Sequence, residues 1–126
     1  MKTYKGSCYC GGVTYEVDGP LRPSVACHCS QCRKTSGHYW SATAVPKERF
    51  RITKDMHLKS FQASPKAVRH FCDACGSSLF WEPLDEPNMS VASGTLDDPV
   101  GLTTSKHIFV EDKGCYYDIE AGPEQL

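Results

Sequence analysis

The stretch CHCSQC places Cys27, Cys29 and Cys32 within residues 27–32. Cys8-x-Cys10 precedes it, Cys72-x-x-Cys75 follows it, and Cys115 stands alone, making 8 cysteines in 126 residues. Thiols this dense offer three chemistries: disulfides, a closed metal site, or a metal site with one position left open. The N-terminal residues MKTYKGSCYC lack the apolar core of a secretory signal, so a cytoplasmic, reducing location is expected. In such a compartment a cysteine set of this kind binds metal or does redox chemistry rather than forming a disulfide framework.

Neither short pair can complete the tetrahedron that zinc takes in structural sites. Cys8 and Cys10, two apart on an extended segment, would present both sulfurs to one side. CDACG at residues 72–76 reads as a knuckle turn in which Gly76 lets the backbone curl around an ion. Joined, Cys8, Cys10, Cys72 and Cys75 form a closed tetrathiolate whose metal would add directly to folding stability. Cys27, Cys29 and Cys32 remain, enough to hold a second ion with one exchangeable position, the arrangement of catalytic zinc. Closure of that site by His38 or Cys115, or one mixed site with idle thiols, stays open at this level. His28, between two ligand positions, is expected to point away. A zinc ion held by three thiolates is itself net negative and suits a sulfur ligand, which it would hold as the thiolate.

Around the triplet, Arg33 and Lys34 follow directly, with Arg22 and Arg69 as further candidates to bind carboxylates of an anionic small molecule. Each reads equally as part of a solvated basic patch. Tyr39, Trp40 and Trp81 read as core or as pocket walls, and Arg49 and Arg51 as one exposed strand face. His70 shares a face with Val68 and Cys72.

These residues must be positioned by short strands. YKGSCYCGGVTYEV reads as a hairpin turning at Gly11-Gly12. YWSATAVP, RFRIT, HLKSF, AVRHF, SLFWEP, MSVASG and KHIFVE are each of strand length, separated by turn residues such as Gly19-Pro20, Ser64-Pro65 and Asp98-Pro99. Helical periodicity is confined to a turn or two around residues 30–36. An all-β domain of two small antiparallel sheets with short irregular or helical turns is expected over residues 4–120, with 121–126 as a flexible tail. No apolar run reaches the ~20 residues of a membrane span. The balance of 14 Lys+Arg against 15 Asp+Glu gives no electrostatic basis for binding nucleic acid.

The ordered set C-x-C, C-H-C-x-x-C-R-K and F-C-x-x-C-G-S resembles the glutathione-dependent formaldehyde-activating enzyme family, also called centromere protein V-like. The stretches that carry the resemblance are GSCYCGGVTYEV, CHCSQCRKTSG, FCDACGSSLFW and, more loosely, KHIFVEDKGCYYDI. The resemblance implies a tent-like all-β fold with two Zn²⁺ per chain. Cys8, Cys10, Cys72 and Cys75 would hold the structural zinc, and Cys27, Cys29 and Cys32 the catalytic one. It further implies a carbon–sulfur lyase that joins formaldehyde to glutathione, with a small thiol and an aldehyde as partners. Two other classes compete: a zinc-ribbon-like module with both metals structural, and a thiol-redox protein using Cys27, Cys29 or Cys32.

Overall fold

A computed structural model describes residues 1–97 and 101–126. The strands are β1 (Thr3–Ser7), β2 (Val13–Asp18), β3 (Ser24–Cys27), β4 (Trp40–Pro46), β5 (Phe50–Asp55), β6 (Leu58–Ser64), β7 (Ala67–Cys72), β8 (Ser78–Pro83), β9 (Asn88–Ala92), β10 (Thr104–Ile108) and β11 (Glu124–Gln125), and the helix α1 spans Ser30–Ser36. The expected Asp98-Pro99 turn lies outside the described residues.

Alternation of side chains builds a sheet pair. In β2, Val13, Tyr15 and Val17 are buried while the residues between them are partly exposed, the period-two pattern of a strand with one face on the core. β1, β2 and β5 form an antiparallel three-stranded sheet. The remaining strands form an eight-stranded sheet in the order β11-β10-β3-β4-β9-β8-β7-β6. From β3 to β6 this sheet is antiparallel, but β10 runs parallel to both β3 and β11. The wholly antiparallel expectation missed that edge because its partners are far apart in sequence, and parallel pairing needs a long connection. Residues 121–126, expected as a tail, include β11.

The main core lies between the sheets: Tyr15 packs edge-on against Phe80 with centroids 5.0 Å apart, among Val13, Val17, Val45, Leu79 and Val91. A smaller cluster of Cys32, Trp40, Ala42 and Ala92, with Trp81 beside it, sits apart. Register explains the split. Val25 opposes Ala42 and Ala42 opposes Ala92, while Arg69 opposes Trp81 and Trp81 opposes Ser90. These rows share one face of the large sheet, and Thr43, Val45, Phe80 and Val91 take the other.

Candidate metal centres

Among the described residues, two groups of side chains stand close enough to hold a metal ion: Cys8, Cys10, Cys72 and Cys75, and Cys27, Cys29 and Cys32, with the sulfurs of each group within 4.8 Å of one another. The partition drawn from spacing is the one the fold assembles. All eight cysteines are free thiols.

The first group joins two turns. Cys8 and Cys10 lie past the end of β1, in the turn to β2, rather than on a strand as the spacing suggested. Gly11 at φ +79° lets that turn close, and its N–H donates to the Cys8 carbonyl at 3.2 Å. The 72–76 turn repeats the device: Gly76 sits at φ +80°, and its N–H donates to the Cys72 carbonyl at 2.8 Å. In each turn a backbone N–H points at a sulfur, Val13 to Cys8 at 3.3 Å and Cys75 to Cys72 at 3.4 Å. Cys10 Sγ stands 3.6 Å from both Cys8 Sγ and Cys72 Sγ. Four sulfurs bound at ~2.3 Å around one zinc would lie ~3.8 Å apart, so the donor set fits that ion in number, softness and spacing.

Thiols this close compete for protons. The Ser77 hydroxyl and backbone N–H hold Cys75 at about 5. The Gly12 N–H draws Cys10 down, but desolvation and the thiols of Cys8, Cys72 and Cys75 outweigh it and push it up to about 12. A cation at the centre removes the conflict, since coordination keeps every thiol deprotonated.

The second group is built where β3 ends. Cys27 closes that strand opposite Trp40, and Cys29 is the N-cap of α1, its sulfur accepting from the Cys32 N–H at 3.3 Å. Cys32 lies on the first turn of α1, and Gly37 at φ +84° ends the helix. The helix expected around residues 30–36 therefore serves to fold the third sulfur back on the other two. Arg69, on β7, donates to Cys32 Sγ at 3.1 Å and to Gln31 Oε1 at 2.6 Å. The Cys27 thiol, then the guanidinium of Arg69, hold Cys32 at about 6 against its burial, and the same contact drives Cys27 well above the usual thiol range.

These three cysteines line a cavity of about 460 Å³ together with Arg22, Trp40, Arg69, Trp81 and Phe109. Of the basic candidates, Arg22 and Arg69 reach this cavity, whereas Arg33 and Lys34 on α1 do not line it. Trp40 and Trp81 are pocket walls, as well as members of the smaller apolar cluster.

The remaining candidates are placed elsewhere. His28 is fully buried and faces away from the sulfurs: its Nε2 lies 2.8 Å from His107 Nδ1, and its Nδ1 bonds the Tyr117 hydroxyl. Desolvation first, then His107, His38 and Lys113, hold its pKa below the usual value. His38 turns to Tyr116 and Tyr117 and is not among the clustered ligands. Cys115 is exposed and joins neither group. His70 pairs with Glu82 at 2.9 Å. Arg51 bonds Glu16 and Asp18 on the small sheet, and Tyr39 packs on His28. Gln31 and Phe109 were missed because neither residue type advertises a role; only the register of β10 with β3 brings Phe109 to the cavity.

Comparison with known proteins follows the same lines. Residues 3–112 match the family described as "Glutathione-dependent formaldehyde-activating enzyme". A Halomonas elongata protein named "Putative glutathione-dependent formaldehyde-activating enzyme" is 30% identical, over 93% of this chain and 81% of its own length. An "Uncharacterized lyase" of Schizosaccharomyces pombe is 23% identical over 94% of this chain and 86% of its own. The crystal structure of a Rhodobacter sphaeroides protein aligns with TM-score 0.61 and 25% identity, covering 74% of this chain and 87% of that one.

Proposed function

The chain belongs to the glutathione-dependent formaldehyde-activating enzyme family, and from that premise we propose that it joins a small thiol to an aldehyde through a carbon–sulfur bond. Residues 4–120 form the catalytic domain in this reading, acting in a reducing, cytoplasmic setting. One zinc ion, held by Cys8, Cys10, Cys72 and Cys75, maintains the fold. A second is held by Cys27, Cys29 and Cys32, and glutathione and formaldehyde are the substrates that the family's description supplies. The observation that carries this reading is that three sulfurs form one wall of an open cavity of about 460 Å³, whereas four sulfurs close on each other elsewhere.

Zinc at the three-sulfur site would supply an open position that favours the thiolate form of an incoming thiol. The chain's own groups do the rest. Arg69, buried against Cys32, offsets the negative charge that gathers where thiolates meet. Trp40, Trp81 and Phe109 shield the cavity from water, and confinement holds the thiol sulfur near the carbonyl carbon. The sulfur–carbon bond forms as the carbonyl π bond opens, and the proton lost by the thiol ends on the oxygen. No oxidant or reductant is consumed, and only proximity and charge need be provided.

The test is zinc per chain before and after a mild chelator, together with exchange NMR of formaldehyde and glutathione with their adduct. Two zincs falling to one, fold retained and exchange returning to the spontaneous rate, is the expected result. Two zincs that resist removal, with exchange never above the spontaneous rate, would make both sites structural and end the proposal.

A further inference from the structure

His28 stands in sequence between two of the three clustered sulfurs, yet both of its ring nitrogens are engaged elsewhere. The residues on either side of it are extended: Cys27 closes β3, and Cys29 holds φ −63°, ψ 160°. Neighbouring side chains on extended backbone point to opposite sides. The direction of the His28 ring therefore sets the direction in which Cys27 and Cys29 point.

That ring has little freedom. It is fully buried, and residues 79 and 89 positions further along the chain hold its two nitrogens, His107 Nδ1 at Nε2 and the Tyr117 hydroxyl at Nδ1. The Tyr39 ring packs on it with centroids 4.8 Å apart, and the His28 backbone N–H donates to the Ile108 carbonyl at 3.0 Å. An aliphatic side chain would fill the same space with no polar group to satisfy. A ring bonded at both ends adds a fixed orientation. The far end of the network sets the proton positions. His107 Nε2 is buried without a hydrogen-bond partner, but the Glu120 carboxylate stands 3.6 Å away, and its charge favours a proton on that atom. With both rings neutral, His107 Nδ1 then accepts from His28 Nε2–H, and His28 Nδ1 accepts from the Tyr117 hydroxyl. Each link fixes the next.

We propose that Tyr117 and His107 are positioning residues of the three-sulfur site: through His28 they hold Cys27 and Cys29 in the arrangement that retains its metal. None of the three lines the cavity, so they act on the sulfurs and not on a substrate. Groups one step removed from a ligand commonly set its orientation and the retention of the ion. The segment after β10 thereby belongs to a metal centre it does not touch. The inference rests on reading the three-sulfur cluster as a metal site.

The test is the rate at which a chromogenic chelator takes zinc from the fully loaded chain, with thermal melting measured alongside. Cys29→Ala, which keeps only the four-sulfur site, identifies the zinc that each phase reports. Tyr117→Phe removes one hydroxyl and keeps the ring. It should quicken release from the three-sulfur site about tenfold, the scale of one hydrogen bond to a buried group, and leave the four-sulfur phase unchanged. His107→Leu should do the same, whereas His107→Asn, whose amide oxygen can accept where Nδ1 did, should stay near the parent rate. If a His107 variant does not fold, Tyr117→Phe decides by itself. Unchanged release in Tyr117→Phe would overturn the inference. So would both zincs leaving faster in step with a lower melting temperature, since the network would then serve only the fold. A parent chain that binds a single zinc would overturn the metal reading and this inference together; two zincs, with variants that release them as the parent does, would overturn this inference alone.

Discussion

The two cysteine clusters use the same donor atom and similar turns, yet they occupy opposite faces of the large sheet. Cys72 and Cys8 are 0% and 2% exposed and pack among Val13, Leu79 and Phe80 in the main core. Cys27 and Cys29 are only partly buried and stand at a cavity with a buried arginine for a neighbour. Alternation along β7 places them so: Cys72 and Arg69, three residues apart on one strand, face opposite ways. Thus one strand supplies a sulfur to the closed cluster and a cation to the open one. Four sulfurs that close on one another leave no room for a substrate, whereas three sulfurs with Arg69 beside them line an open cavity.

The largest effect that would sharpen this contrast is expected from Cys72→Ser. A structural zinc is worth ~10–16 kcal/mol at pH 7 in small zinc folds, while whole domains are stable by only ~5–15 kcal/mol. The variant should lose its cooperative thermal transition by circular dichroism. A melt within a few degrees of the parent would show that this cluster does not hold the fold together. Next comes Cys29→Ala, which should lower zinc from two per chain to one while the transition persists. Loss of both metals together would break the distinction between the clusters.

A smaller effect is expected from two glycines that guard one cluster each. Gly76 (φ +80°) and Gly37 (φ +84°) have open space where a Cβ would stand. Alanine therefore adds only the left-handed penalty, ~1–2 kcal/mol. Both variants should shift the urea midpoint down alike, but only Gly76→Ala should hasten zinc loss from the four-sulfur site. The smallest is a control remote from both. Hydrogen bonds from Arg51, then Thr3, hold the Asp18 carboxyl below its usual range. A depressed folded-state pKa stabilises above the unfolded value of ~3.9 and ceases to as pH falls through the folded one. Arg51 is exposed and Asp18 only half-buried, so screening keeps the effect slight. Arg51→Ala should weaken this acid sensitivity and leave zinc content unchanged.

Much of this arrangement was legible in the chain. Seven strand-length runs and the N-terminal hairpin were found from β-branched and aromatic residues between turn formers. The short helix at 30–36 was found, and the four-plus-three partition of cysteines followed from ligand counting. β3 was not seen: SVAC is four residues long, too short for alternation to register. β11 was missed because its residues, Glu124 and Gln125, carry no strand preference and pair only through the backbone. The C-x-C spacing predicts Cys8 and Cys10 on a strand; a turn with Gly11 in the left-handed region does the same work.

By itself the sequence picked out the thiols that could hold metal, because residue type and the spacing within C-x-C, C-x-C-x-x-C and C-x-x-C are local. It determined the all-β character for the same reason, since turn formers and period-two alternation act over a few residues. Tertiary structure decided which sulfurs remained open to a ligand and what stands beside them. Arg69, Trp81 and Phe109 come from three strands or their ends, far apart in the chain, and only sheet register brings them to one cavity. Register is fixed by the sum of many backbone pairings and buried side chains, and no short stretch of residues carries that sum.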